Sequence, residues 1–336
     1  MPVLHMARGG RVLVLAAGML LLLLCMLASV LFGIHNYDLR TVWEAYTSFD
    51  GSNDHLVITN ARVPRALVGA AVGASLAVAG ALMQVLSRNP LASPSVFGIN
   101  AGAVLLLVLS ISMFGSALTF GSMIWISFAG AALTALFVFV LGSRGGQGFT
   151  PVKLTLAGAS IAAFASSVTS GIVIIDKSSL DQALFWMVGS IVDRKLEHLS
   201  IVTPYMLIGL VIALVLSGAL NVMALGDDVS VGLGQRLMLT RILACVSIVL
   251  LAGAAVAVAG PIAFVGLIVP HLCRFITGND HRWLLPYCAV GGALLLVGAD
   301  VASRYMLMPK EVPVGVSTAL LGVPFLIYVA RRGKHE

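Results

Sequence analysis

Arginine is the chemically versatile side chain whose spacing invites a role. Arg62-Val-Pro-Arg65 sets two guanidiniums about one helical turn apart at the start of an apolar run. Near the end of another run, Asp300 precedes Arg304 by four residues. A guanidinium offers planar donors that meet a carboxylate at two points, so the three arginines could dock acidic side chains of another protein. They could equally rest at the edge of an apolar phase, with Arg304 paired to Asp300 one turn away. Leu225-Gly-Asp-Asp-Val-Ser-Val-Gly-Leu-Gly234 mixes acids, glycines and apolar anchors. That pattern fits an ordinary polar loop, or a pair of short helices pressed into a partner's groove. Asn89-Pro-Leu-Ala-Ser-Pro94 breaks the chain between two apolar runs, where irregular backbone is tolerated if it lines a cavity.

Catalysis finds little support. HExxH and GxSxG are absent, no two carboxylates share an apolar run, and the seven histidines lie in loops except His271, whose position after Pro270 suits a helix-end or capping role. The four cysteines, Cys25, Cys245, Cys273 and Cys288, show no CxxC spacing and read as small packing residues. A phosphate-binding GxxxxGK[ST] loop is also absent, so ATP cannot be held in the usual P-loop manner. The expectation is a non-enzymatic chain with no catalytic residues, no metal and no bound cofactor. If ATP drives it, another subunit binds the nucleotide.

Composition identifies the elements that carry these residues. Of 336 residues 59% are hydrophobic and 10% charged, against roughly 25% charged in a soluble domain. Asn89 to Ser143 holds no charge at all, and Val12–Ile34, Ala66–Ser87, Leu154–Ile175 and Leu199–Gly226 are likewise empty. Each run reaches the ~20 residues a helix needs to cross the hydrocarbon layer. Gly, Pro and Asn clusters divide the chain into spans near 12–34, 66–86, 96–114, 121–142, 152–175, 199–223, 241–259, 262–273, 283–306 and 314–330. The first is read as a membrane helix rather than a signal peptide, because 23 charge-free residues exceed a usual h-region. The eighth is too short to cross alone.

The predicted fold is an all-α integral membrane protein of about ten transmembrane helices, with short interfacial and broken helices, forming one transmembrane domain over 1–336. With the N-terminus inside, the cytoplasmic side takes 12 of the 20 Lys and Arg but only 4 of the 14 Asp and Glu. That asymmetry predicts both termini in the cytoplasm. An amphipathic interfacial helix is expected over 176–198, with Trp186 at headgroup depth. Gly69-xxx-Gly73 and Gly98-xxx-Gly102 predict close helix packing. Val78-Ala-Gly80 and Val258-Ala-Gly260 each precede a proline at the same offset, as in an inverted repeat.

Taken in order, these motifs resemble the FecCD family, the membrane subunits of ABC importers for iron-siderophores, haem and vitamin B12. The resemblance is carried by Arg62-Val-Pro-Arg65, Gly80-Ala-Leu-Met-Gln84, Asn89 to Pro94, Gly98 and Gly102. It continues through Trp186-Met-Val-Gly-Ser190, Leu225 to Gly234, Ala259 to His271 with Arg274, Gly298-Ala-Asp300 to Arg304, Glu311-Val-Pro-Val-Gly315 and Gly322-Val-Pro324. It covers about 60–330. Ser230 departs from the alanine usual there.

The resemblance implies a permease that moves a metal-chelate, an iron(III)-siderophore foremost, across the bacterial cytoplasmic membrane. It implies a second permease subunit, two ATPases and an external solute-binding protein, with no nucleic acid partner. On the same grounds Arg62, Arg65 and Arg304 receive acids of the binding protein. Gly226, Asp227, Asp228, Val231, Leu233 and Gly234 couple to the ATPase, and Asn89, Pro90, Leu91, Ser143 and Arg144 belong to a cytoplasmic gate. The rival is an ion-coupled secondary transporter, for which Asp300 is the one candidate ion carrier within a span.

Overall fold

In the computed structural model, residues 8–143, 150–176, 186–307 and 310–332 are described. The chain opens with α1 (Arg8–Leu31), followed by the short α2 (Leu39–Thr47) and α3 (Asn53–Val57). α3 passes through a π turn at Ile58–Arg62 into α4 (Val63–Leu86). That wider turn falls just before Pro64, which has no N–H to bond the carbonyl four residues back. A 3-10 turn at Pro94–Phe97 leads into α5 (Ile99–Phe114), then α6 (Phe120–Ser143) and α7 (Pro151–Ile175). α8 (Leu196–Met223), the six-residue α9 (Asp227–Gly232) and α10 (Leu237–Ile248) follow; a second π turn at Val249–Gly253 joins α10 to α11 (Ala254–Ala259). α12 (Val265–Thr277), α13 (His281–Met306) and α14 (Val314–Arg332) complete the described helices.

Seven of these, counting α3–α4 and α10–α11 as continuous, are long and apolar enough to cross a membrane, and α5, α12 and the stretch Val314–Ile327 are shorter apolar helices. All ten expected spans therefore exist as helices. The periphery identifies their solvent: α1 has only 6% of its apolar window buried and exposes Leu13, Leu20 and Leu23. Apolar area on that scale is unsustainable in water and ordinary in lipid.

α4 is the central helix, with 78% of its window buried. It can be central because its contact positions are glycines. A Cβ on Gly73 would sit 2.2 Å from the Gly292 carbonyl of α13, and one on Gly80 would sit 1.9 Å from the Gly266 carbonyl of α12. The second approach has a specific origin. Pro270 lies inside α12, and its missing N–H would have bonded Gly266. The carbonyl thus freed lies against the Gly80 backbone, at a distance only glycine permits. Gly102 packs in the same way on the Gly130 carbonyl of α6.

Three expectations are corrected, and a fourth falls partly outside the described residues. α12 starts at Val265 rather than 262 and runs to Thr277 rather than 273, because Gly260 (φ 72) and Phe264 (φ 69) turn the chain and delay the helix. The matched Val-Ala-Gly segments are locally unlike: Gly80 lies mid-helix and Pro90 beyond the end of α4, whereas Gly260 caps α11 and Pro270 is internal. The helix foreseen over 176–198 lies partly in 177–185, outside the described residues. Of its described part, Trp186–Val188 is helical. Trp186 is buried, stacked on Phe120 at 5.7 Å and packed on Leu107 and Ile111, rather than set at an interface. Among the described residues, α2 is an amphipathic surface helix that exposes Leu39, Trp43 and Tyr46 and carries an Arg40–Glu44 pair.

Candidate functional site

α4 rises about 36 Å over 24 residues, so Arg62 and Arg65 at its start and Arg88 beyond its end mark opposite ends of the bundle. Pro64 in the first turn leaves no N–H orphaned there. α13 runs beside α4 and brings Asp300 and Arg304 to the Arg65 end. Asp300 accepts from Arg65 Nε at 3.0 Å and Nη2 at 2.8 Å, and from Arg304 Nη2 at 2.7 Å. Arg65 Nη1 donates to Glu311 Oε2 at 2.6 Å. Nη1 and Nη2 of Arg304 also donate to the end of α1: Ser29 O at 2.6 Å, Ser29 Oγ at 2.7 Å and Phe32 O at 3.0 Å.

Arg62 follows the same scheme. Its guanidinium donates to Val30 O at 3.1 Å and to His35 O, lies over the Tyr37 ring at 4.8 Å, and rests on Gly33, where a Cβ would come within 2.7 Å of it. Arg62 and Arg304 thus share the carbonyl-rich C-terminal end of α1, the negative pole of its dipole, while Arg65 bonds only carboxylates. Two buried cations are tolerable because Asp300 lies between them, Glu311 takes a further Arg65 donor and oxygens at the end of α1 take two nitrogens of Arg304, whose Nε is left without a partner among the described residues. Asp300 is 1% exposed, Arg304 3% and Arg65 9%, while Arg62 is half-buried. The pairing of Arg304 with Asp300 foreseen from spacing is present; the share taken by Arg65 and Glu311 was not foreseen. Its signal is an acid at 311 in the short connection between two spans, a pattern mute about distance in space.

At the other end, α9 forms a single short helix, where the sequence left open a polar loop or a pair of short helices. Gly226 (φ 115) and Gly234 (φ 77) bracket it in conformations that favour glycine. Val229, Val231 and Leu233 are exposed at 47%, 61% and 66%. Asp228 is also exposed. Asp227 is bridged within the chain, to Arg88 at 2.6 Å and to Arg241 at 2.7 Å. Ser230 is fully buried, and its hydroxyl donates to the carbonyls of Val222 and Gly226, pinning α9 to the end of α8. Arg88 (φ 48) leads into the exposed Asn89-Pro90-Leu91, where Asn89 Oδ1 accepts from Leu91 N at 2.9 Å and closes the turn. The segment 89–91 is therefore held next to α9 through the Arg88–Asp227 bridge. Ser143 ends α6, with its hydroxyl on Val140 O at 3.0 Å. Arg144 lies outside the described residues.

Two further groups went unmarked in the sequence, and one that was marked is placed differently. Arg194 is 4% exposed, donates to Val258 O at 2.7 Å and lies over the rings of Phe120 (4.5 Å) and Trp186 (5.3 Å); burial pushes its guanidinium down to about 10. α7 exposes Ser160, Ala163, Ser167 and Ser170 along one face, beside a cavity of about 240 Å³ lined by Asn100, Ser166, Ser170 and Pro261. The signal was available: hydroxyl and small residues recurring at helical spacing in an otherwise apolar span. His271 lies within α12, edge-on to Phe275 and Phe325, rather than at a helix end.

Comparison with known proteins agrees with this layout. The chain is 50% identical over 321 residues to the Bacillus subtilis (strain 168) protein named "Probable siderophore transport system permease protein YfiZ", covering 96% of each. It is 42% identical over 316 residues to the ferric enterobactin transport system permease protein FepD of Escherichia coli (strain K12), covering 94% of each. It superposes with a TM-score of 0.83 on a solved inward-facing structure described as an ABC transporter of the metal-chelate type, at 27% identity, covering 96% of this chain and 99% of that one. The FecCD transport family matches residues 21–332, and this chain, a multi-pass membrane transport component, belongs to that family.

Proposed function

We propose that this chain is the permease subunit of an importer that carries an iron(III)-chelate, a siderophore foremost, across the cytoplasmic membrane with both termini inside. The observation that carries the reading is the family match over nearly the whole chain, together with relatives whose names specify siderophore and ferric enterobactin transport. Haem and vitamin B12 are the alternative cargoes within the same architecture. The chain itself binds no cofactor on this reading. It has no P-loop, so conformational work enters through contact with separate ATPases that bind ATP. The exposed Val229, Val231 and Leu233 on a short glycine-bracketed helix suit that contact. Asp228 remains available for basic residues of the ATPase, whereas Asp227 organises the element from within. Asn89, Pro90, Leu91, Ser143 and Arg144 serve as the gate at this cytoplasmic end.

The arginine end faces outward and receives the acidic side chains of a solute-binding protein. Arg62 is the directly accessible member; Arg65 and Arg304 hold the patch together and lend it positive potential. The small-residue face of α7 suits packing against a second permease subunit, since small residues let membrane helices approach closely. An ion-coupled mechanism would rest on Asp300, which is sealed between two arginines. The deciding experiment is uptake of a radiolabelled ferric siderophore into proteoliposomes. Vanadate-sensitive, ATP-dependent uptake that ignores uncouplers supports the importer reading, and uptake driven by a proton or Na⁺ gradient without ATP rejects it. Changing Arg62, Arg65 and Arg304 together to Glu is expected to weaken binding-protein docking by about tenfold or more. Normal docking by that triple variant in the assembled complex would remove the recognition role.

A further inference from the structure

The guanidinium of Arg65 holds two carboxylates of different standing. Asp300 is bound through Nε and Nη2, its side chain is 2% exposed, and it is braced by Arg304 on the same helix. Glu311 is bound through Nη1 alone, its side chain is 29% exposed, and it lies in the connection between α13 and α14. Glu311 and Arg65, but not Asp300, border a cavity of about 390 Å³ whose wall also includes Arg62, Arg304, Tyr37 and Asp193. The contact between Arg65 and Glu311 lies in the wall of this cavity. The cavity has room for a carboxylate side chain, and three arginines stand against the acids Asp300, Glu311 and Asp193.

We infer that Glu311 is a resident stand-in for a carboxylate of the external binding protein, and that docking exchanges it: the incoming Asp or Glu takes Arg65 Nη1 while Glu311 swings away. The inference rests on the docking role proposed above for the arginines. Asp300 cannot be the group exchanged, because removing it would strand two buried cations. Glu311 can leave with little loss, since a part-exposed single contact is weak and the freed carboxylate is rehydrated. Asp193 narrows the approach by repelling acids that enter along its side of the cavity. Glu311 therefore lowers the affinity of the patch for acidic surfaces in general and reserves it for a partner whose further contacts outweigh the exchange.

The test uses the assembled importer in lipid nanodiscs, titrated with fluorescently labelled solute-binding protein at several salt concentrations. Glu311→Gln is expected to tighten binding about three- to tenfold, the worth of one part-exposed ion pair. It should also steepen the salt dependence, because docking then forms a charge pair without breaking one. A purely structural Glu311 would give neither change. Glu311→Asp, which keeps the charge but shortens the reach, should fall between wild type and Glu311→Gln, and it carries the test if the Gln variant does not assemble. Unchanged or weaker binding in the variants that assemble overturns the exchange. The Arg62→Glu variant runs beside them: if it weakens docking while the Glu311 variants do nothing, the exchange alone fails, and if it leaves docking intact, the docking role itself fails.

Discussion

Replacing Asp300 with asparagine separates a structural carboxylate from an ion-carrying one. The side chain is 2% exposed and accepts hydrogen bonds from both Arg65 and Arg304. Asparagine keeps one acceptor oxygen but turns an NH₂ donor toward a guanidinium and removes the only negative charge between two buried cations. Arg65 keeps Glu311, and Arg304 keeps the Ser29 and Phe32 oxygens. Hydrogen bonds are thus largely preserved, and the cost is chiefly that of an uncompensated charge. Breaking a buried pair costs about 3–5 kcal/mol, and the carbonyls around Arg304 put this case near 3 kcal/mol. We expect the purified variant to melt several degrees below wild type by fluorescence-detected thermal shift. Its residual uptake should stay ATP-driven and insensitive to collapse of the proton gradient. Asp300→Leu combined with Arg304→Met removes both charges, leaves Arg65 on Glu311, and should recover at least half of the loss. An unaltered midpoint in Asp300→Asn would refute the structural role. Loss of proton-coupled accumulation with substrate exchange retained would refute the importer assignment itself.

Two more outcomes follow from the packing and from the coupling end. Gly80→Val places side-chain atoms where even a Cβ lies 1.9 Å from the Gly266 carbonyl. It should push α12 off α4, costing about 3 kcal/mol or more, and yield protein that elutes aggregated on size exclusion; a monodisperse variant would show that the approach can relax. Asp227→Lys together with Asp228→Lys breaks bridges that are part-exposed and worth at most about 1 kcal/mol each. The permease should therefore remain folded while substrate-stimulated ATP hydrolysis is lost, and a full ATPase response would show that coupling lies elsewhere.

The sequence alone determined which segments lie in lipid. Helices that bury their backbone bonds internally must be apolar over about 20 residues, and that condition is written locally in runs such as Ala66–Ser87 and Leu199–Gly226. The positions of Arg62, Arg65 and Arg304 at helix ends were legible for the same reason, as was the Asp300–Arg304 pair, set by one helical turn. Tertiary structure decided what those residues touch. Arg65 and Asp300 are 235 positions apart, Arg304 and Ser29 are 275 apart, and Asp227 meets Arg88 across 139. No periodicity encodes such separations. The first is set by how closely α4 and α13 can approach, which depends on Gly73 meeting Gly292. Trp186 makes the same point at smaller scale: its amphipathic neighbourhood suggested the lipid interface, but Arg194 and Phe120, brought by another turn and another helix, provide a stacking partner inside the bundle. Local composition fixes the medium a helix inhabits, whereas the pairing of buried charges depends on contacts between helices distant in sequence.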